Sequence, residues 1–277
     1  MTVPEKRVSE HYSIANLEDQ ILAALEAVGK DLDALTVDDL APVDEFHIRG
    51  RTSTEELAQW AEVQPFHKLL DVGCGLGGTS RYLAASVGCK VVGLDLTKEY
   101  CRIAEMLSAR VGLSDRTVFQ KGSALELPFA DGHFDVVWTE HVQMNIEDKA
   151  GFYREQCRVL KAGGQLVFHD IFAGIKDGLY FPVPWAADSS INFLIAVKDL
   201  QPLLVELGFE QIRWEDKTEA SVMFFQAALE RARTEGWMPV GLHLLMGVNA
   251  ETKFANVLRN LEENRARVVQ AVMKRVP

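Results

Sequence analysis

The sequence is short of basic charge, of cysteine and of long apolar runs. Lysine and arginine number 29 against 40 aspartates and glutamates, a net charge of −11 over 277 residues. Such a surface repels phosphate backbones and anionic bilayers, which argues against nucleic acid as a partner. Nowhere do about 18 apolar residues run together, so no membrane span is expected. The start, Met1-Thr2-Val3-Pro4-Glu5-Lys6-Arg7, lacks the apolar core of a signal peptide, and the expected location is the cytoplasm. The four cysteines, at 74, 89, 101 and 157, show neither CxxC nor metal-type spacing. They are read as free thiols, and no metal site is expected.

What the chain does have is Asp71-Val72-Gly73-Cys74-Gly75-Leu76-Gly77-Gly78, between a short apolar run, Lys68-Leu69-Leu70, and a helix-like stretch from Thr79 to Ala84. Glycines in a strand-to-helix turn let the backbone bend sharply and come into contact with a ligand, which points to a nucleotide-type cofactor. Gly73, Gly75 and Gly78 also satisfy the GxGxxG of nicotinamide-dependent dehydrogenases. Asp71 argues against that reading, because it puts an acid where those strands end apolar. Strand and helix patterns then alternate: Lys90 to Asp95, a helix from Lys98, Thr117 to Gln120, Phe134 to Trp138, a helix through Phe152 and Tyr153 that stops at Gly163-Gly164, and Gln165 to His169. Thr97 is placed to cap the helix at Lys98. The alternation implies a parallel sheet with its ligands at the carboxyl ends of the strands. Asp95, about twenty residues past the loop at a strand tip, can accept hydrogen bonds from ribose hydroxyls or cap the next helix. His141, just past another strand tip, can position a nucleophile or take its proton, or it can simply hydrogen-bond within a helix start.

The run D-x-G-x-G-x-G resembles the first motif of class I S-adenosylmethionine-dependent methyltransferases. From about Asp71 to Ala173 the chain is similar to the branch that holds ubiquinone and tocopherol methyltransferases and the N-methyltransferases of glycine, sarcosine and dimethylglycine. The resemblance implies an α/β, Rossmann-like sheet of seven strands, the last antiparallel, with helices on both faces and a helical substrate cap. It also implies S-adenosyl-L-methionine as cofactor, leaving as S-adenosyl-L-homocysteine, held by Asp71, Gly73, Cys74, Gly75 and Gly77, by Asp95 and Leu96, by Ser123, Ala124 and Leu125, and by Glu140. Gly122-Ser123-Ala124-Leu125 looks like the segment that holds adenine, usually written with an acid after the first glycine. Here that position is Ser123, which leaves a carboxylate contact to the adenine amino group in doubt.

The flanks must then read the acceptor. Residues 1–64 are expected to form an N-terminal helical cap, with Leu17, Ile21, Leu22, Leu25 and Val28 as a packing stripe behind Asn16. Phe46-His47-Ile48-Arg49-Gly50-Arg51 precedes Ser53-Thr54-Glu55-Glu56, a capping-box pattern. This stretch most resembles the sarcosine and dimethylglycine enzymes, which implies that Arg49 or Arg51 grips an amino-acid carboxylate while Tyr12, His47 and His141 surround the amine. Alternatively the arginines pair with nearby acids such as Asp44 and Glu45. Residues 65–277 are expected to be the methyltransferase domain, with Trp185 in a proline-rich and aromatic pocket wall and a helical insert at about 218–264. The insert can fasten to the sheet, face a partner in a homodimer, or roof the cavity. The leading expectation is N-methylation of a glycine-type amino acid. The alternatives are C- or O-methylation of a larger natural product or quinone-like ring, a nicotinamide-dependent oxidoreductase, and a fold relative that binds the cofactor without methyl transfer.

Overall fold

Leu69 and Leu70 are adjacent in sequence and fully buried, and they pack into hydrophobic clusters on opposite faces of one sheet. Side chains alternate along a strand, so a strand apolar at consecutive positions has to be covered on both faces. The computed structural model describes residues 1–276. Its sheet holds β1 (Lys68–Val72), β2 (Lys90–Asp95), β3 (Thr117–Lys121), β4 (Phe134–Glu140), β5 (Leu160–Ala173), β6 (Phe209–Asp216) and β7 (Ala266–Arg275). The order is β3-β2-β1-β4-β5-β7-β6, and β7 runs antiparallel to both of its neighbours. This is the expected seven-stranded arrangement. The strand order reverses between β1 and β4, where the carboxyl ends open a crevice beside the glycine loop.

Four helices precede β1: α1 (Val3–His11), α2 (Leu17–Ala27), α3 (Val37–Asp44) and α4 (Arg51–Trp60). Then come α5 (Gly78–Ser86), α6 (Lys98–Arg110), α7 (Lys149–Val159) and α8 (Val197–Glu206), and between β6 and β7 lie α9 (Thr218–Glu235), α10 (His243–Met246) and α11 (Ala250–Glu262). Several local expectations are corrected. Ser53 is not a helix cap: α4 already begins at Arg51, and the Ser53 hydroxyl donates inside the first turn to the Gly50 carbonyl at 2.7 Å. Asn16 and Thr97 head α2 and α6 without side-chain caps. The helix through Phe152 ends at Val159, before Gly163-Gly164, because Leu160 already pairs with Phe134 and a register shift follows.

One buried ion pair fixes the N-terminal helices to this frame. Arg81 on α5 and Asp44 at the end of α3 are both fully buried, with Arg81 Nη2 donating to Asp44 Oδ2 at 2.6 Å. The same nitrogen reaches the Leu76 carbonyl at 2.6 Å, and Nη1 reaches that of Ala104 at 3.1 Å. Gly78 lets the two elements meet, since a Cβ there would overlap the Asp44 carbonyl. Removing one partner strands the other charge in the interior. Asp44→Ala should therefore cost about 3–5 kcal/mol, read by thermal or urea unfolding; a loss below about 1 kcal/mol would show that the pair is not holding α3 in place.

Candidate active site

The carboxyl ends of β1, β2, β4 and β5 open into a cavity bounded on the far side by α1, α9, α10 and α11. Its two ends differ in chemistry. Near the glycine loop the wall carries Asp71, Asp95, Glu140, His47 and His141; toward the insert it carries Met144, Ile171, Trp185, Phe224, Phe225, Leu245, Phe254 and Val257. Among the described residues no lysine or arginine lines the cavity.

The glycine loop is set for ligand approach. Gly75 has φ +54°, and nothing lies within 4 Å of where its Cβ would be, so that side of the backbone stays open. The Asp95 carboxylate braces the loop, accepting from the Gly75 amide at 3.0 Å and the Thr97 amide at 2.7 Å. A carboxylate has about four acceptor sites, so capacity remains for hydroxyls in the cavity that Asp95 lines. Burial pushes its pKa above the usual carboxylate range, opposed by those amide bonds. Asp71 accepts from the Ser80 hydroxyl at 2.6 Å, yet burial dominates and raises its pKa to about 7. The Glu140 carboxylate takes the Thr79 hydroxyl at 2.6 Å. Cys74, Leu96 and Ala124 also line the cavity, and burial first, then the nearby Asp95 and Asp71, push the Cys74 thiol well up.

Three other expected cofactor residues stand outside the wall. Gly77 starts α5 at φ +83° and packs against the Phe119 ring and Arg81. Leu125 packs against the core cluster under the sheet, and its amide donates to the Ser123 hydroxyl at 3.1 Å. Ser123 in turn donates to Glu5 Oε1, a partner delivered by α1. Glu5 is the residue sequence reasoning missed. Its one signal is local: Thr2 and Glu5 form a capping box around Pro4, which marks a helix start and says nothing of a ligand.

His141 occupies the left-handed region at φ +54°, uncommon for a residue with a Cβ. Its amide donates to the His169 carbonyl at 2.8 Å, and Asp170 Oδ2 accepts from the next two amides, Val142 at 3.1 Å and Gln143 at 3.0 Å. This brace turns the His141 ring to the cavity. Burial, with His169 and His47 nearby, drives its pKa well below the ordinary value, so it is a neutral imidazole. The Ile48 amide donates a long bond of 3.4 Å to its Nε2, which leaves Nδ1 as the proton-bearing nitrogen. His47 lies between Glu45 and Glu140, at 3.3 and 3.6 Å from Nε2, and shares the Thr54 hydroxyl at 3.1 Å. Tyr12 keeps its proton, since burial raises its pKa, and donates to Asn145 at 3.0 Å. Trp185 is fixed by an indole bond to Asn192 at 2.8 Å.

The arginines are not where a substrate carboxylate would need them. Arg49 is bidentate to Glu56 at 2.9 and 2.6 Å. Arg51 binds Glu45 at 2.5 Å and Asp38 at 3.0 Å and lies over the Tyr82 ring. Neither lines the cavity, because each guanidinium has its carboxylate within the same N-terminal segment.

A family model described as a methyltransferase domain matches residues 70–168. Residues 70–168 are thus similar to a methyltransferase domain. The tocopherol O-methyltransferase of Arabidopsis thaliana is 40% identical over 192 residues, covering 62% of this chain and 52% of that protein. The sarcosine/dimethylglycine N-methyltransferase of Halorhodospira halochloris is 28% identical over 172 residues, 61% of each chain. A solved geranyl diphosphate C-methyltransferase from Streptomyces coelicolor A3(2), in complex with Mg2+, geranyl diphosphate and S-adenosyl-L-homocysteine, shares the fold at a TM-score of 0.72 and 16% identity, covering 99% of this chain and 98% of that one. The chain spans about half the length of the tocopherol methyltransferases it matches. Class I methyltransferase domains use S-adenosylmethionine, and a polar end with three carboxylates and no lysine or arginine among the described residues suits its positive charges. Among the described residues no helix is long and apolar enough to cross a membrane.

The raised pKa of Asp71 has a signed consequence for this methyltransferase domain. A carboxyl whose folded pKa of about 7 exceeds its ordinary 3.8 is easiest to bury when protonated. Its contribution is therefore fully present below about pH 4 and is lost as pH rises through 7. Asp71→Asn keeps an acceptor for Ser80 and never ionises. Its melting temperature should exceed that of the unliganded parent at pH 8, with the gap closing toward pH 4; a gap independent of pH would show that Asp71 titrates normally.

Proposed function

We propose that this chain transfers a methyl group from S-adenosylmethionine to a largely apolar, uncharged small molecule, at an oxygen or carbon of a ring-bearing acceptor. One observation carries the acceptor class: the cavity end away from the glycine loop is walled by aromatic and aliphatic side chains, and among the described residues no cation lines any part of it. An anionic group on the acceptor would be buried among apolar side chains without a cationic partner, which is expensive, whereas the donor's own carboxylate lies beside its ammonium and the amides of the glycine loop. A glycine-type amino acid, the acceptor first expected, finds both nearby arginines committed to Glu56, Glu45 and Asp38. The tocopherol methyltransferase likeness supports the apolar reading.

The cofactor supplies a sulfonium-activated methyl group. The chain's residues have to hold an acceptor atom in line behind it and keep water out, and orientation of this kind contributes roughly 7–11 kcal/mol in favourable cases. Asp95 holds the ribose hydroxyls, and Asp71 and Glu140 face the amino-acid part. Trp185, Phe225 and Phe254 pack the acceptor ring and exclude solvent. His141, a neutral imidazole at the junction of the two ends, fixes the acceptor's polar atom, and its Nε2, held only by the long 3.4 Å bond from the Ile48 amide, takes the proton that the acceptor loses as the new bond to methyl forms. The N-terminal helices and the insert of 218–264 together form the acceptor chamber.

Two measurements test this reading. Asp95→Ala should weaken S-adenosylhomocysteine binding by about 1–3 kcal/mol, measured by calorimetry; unchanged affinity would remove the ribose assignment. Labelled methyl transfer should be faster onto prenylated phenols, quinols and similar apolar rings than onto glycine, sarcosine or dimethylglycine. Preferential turnover of the amino acids would overturn the acceptor class while leaving the cofactor reading intact.

A further inference from the structure

Glu5 is a carboxylate in the cavity wall that the proposed function leaves without a role. It lies on α1, 118 residues in sequence from Ser123, whose hydroxyl donates to its Oε1. Glu5 is 8% exposed and shares the wall with Gly122, Ala124 and Leu96. Its other oxygen, Oε2, accepts from the Thr2 amide at 2.5 Å, and its own amide reaches Thr2 Oγ1 at 3.3 Å, so a capping box fixes the side chain from behind. Burial pushes the carboxyl up, but the bonds from Ser123 and Thr2 outweigh it and hold the pKa below the usual range. Glu5 is thus an ionised acceptor with capacity left on Oε1.

Sheet order says what that acceptor faces. In β3-β2-β1-β4, the tip of β3 lies beside that of β2, on the side away from the glycine loop of β1. With the ribose on Asp95 and the amino-acid part toward Asp71, the base can lie only over the β3 tip, at Gly122 and Ala124. That is where α1 brings Glu5. A carboxylate accepts, and the edge group of adenine that donates is its exocyclic amine.

We propose that Glu5 is the residue that reads the adenine amino group, so that the N-terminal helix supplies from a distant part of the chain the carboxylate that Ser123 does not. The assignment rests on the methyl-donor reading above. The same helix places Val8 and Tyr12 on the acceptor chamber, so one element contacts both bound molecules.

The test compares S-adenosylhomocysteine with S-inosylhomocysteine, whose base carries a carbonyl acceptor in place of the amine. Wild-type chain should prefer the adenosyl compound by at least about tenfold, since the carbonyl would face a carboxylate. Glu5→Gln preserves the capping box, because glutamine also serves at that position, and the cap holds its amide oxygen toward Thr2 and its NH2 toward the base. This variant should raise the adenosyl Kd about tenfold and bring the preference close to unity. Adding Ser123→Asp to Glu5→Gln should restore the preference by returning an acid to the same edge. A Glu5→Gln chain that keeps the wild-type ratio overturns the Glu5 assignment alone. A wild-type chain that binds neither compound overturns the methyl-donor reading and this proposal with it.

Discussion

The Arg81 to Asp44 pair is the contact on which the site's assembly depends. It joins the last residue of α3 to the helix that the glycine loop opens, at the point where Gly78 removes the side chain that would keep them apart. The three residues after the following Glu45, Phe46, His47 and Ile48, all line the cavity. Ile48 goes further: its amide meets His141 at 3.4 Å and its carbonyl meets His169 Nε2 at 2.9 Å, which ties the segment to the tips of β4 and β5. A buried ion pair is seldom worth more than the apolar pair that could replace it. Its effect here is placement, since an arginine with four bonded acceptors admits one position of α3.

Placement matters because the cavity is chemically divided. The carboxylates of Asp71, Asp95 and Glu140 come from β1, β2 and β4, a fixed spacing set by strand pairing. The apolar chamber instead comes from α1, α9, α10 and α11, elements outside the alternation that builds the sheet. The donor end is therefore as rigid as the sheet, whereas the acceptor end can diverge without disturbing it. Relatives named for a tocopherol and for sarcosine fit that division.

Legibility in the sequence followed the same line. Asp71, Gly75 and Asp95 were readable because strand, loop and helix constrain residue types over a short span, and the spacing survives folding. The seventh strand and the helical insert before it were expected from the family resemblance, and β7 with α9 and α11 stand there. Arg49 and Arg51 were readable only in part: the alternative of pairing with nearby acids holds for Arg51 and Glu45, but a cationic cluster in sequence does not reveal that Glu56 and Asp38 lie within reach once α4 and α3 fold. Ser53 failed similarly: its pattern matched a capping box, but the left-handed bend at Arg49, φ +70°, starts the helix two residues earlier. Glu5 was invisible because its contact spans 118 residues, and no local pattern encodes that.

The acid end also explains why the empty fold should be less stable than the liganded one. Asp71 is pushed up to about 7 and Asp95 is raised, in both cases mainly by burial, with no lysine or arginine lining the cavity among the described residues. Nearby positive charge favours the ionised carboxylate and offsets that desolvation. A cationic ligand thus completes an electrostatic arrangement that the chain leaves half built, and its binding energy adds to the stability of the sheet's carboxyl edge. A neutral acceptor gains nothing from these acids. On the function proposed above, the charge of the end beside the glycine loop would sort the two molecules by itself: the cation would go to the loop, and an apolar partner would be left the chamber lined by α9 and α11.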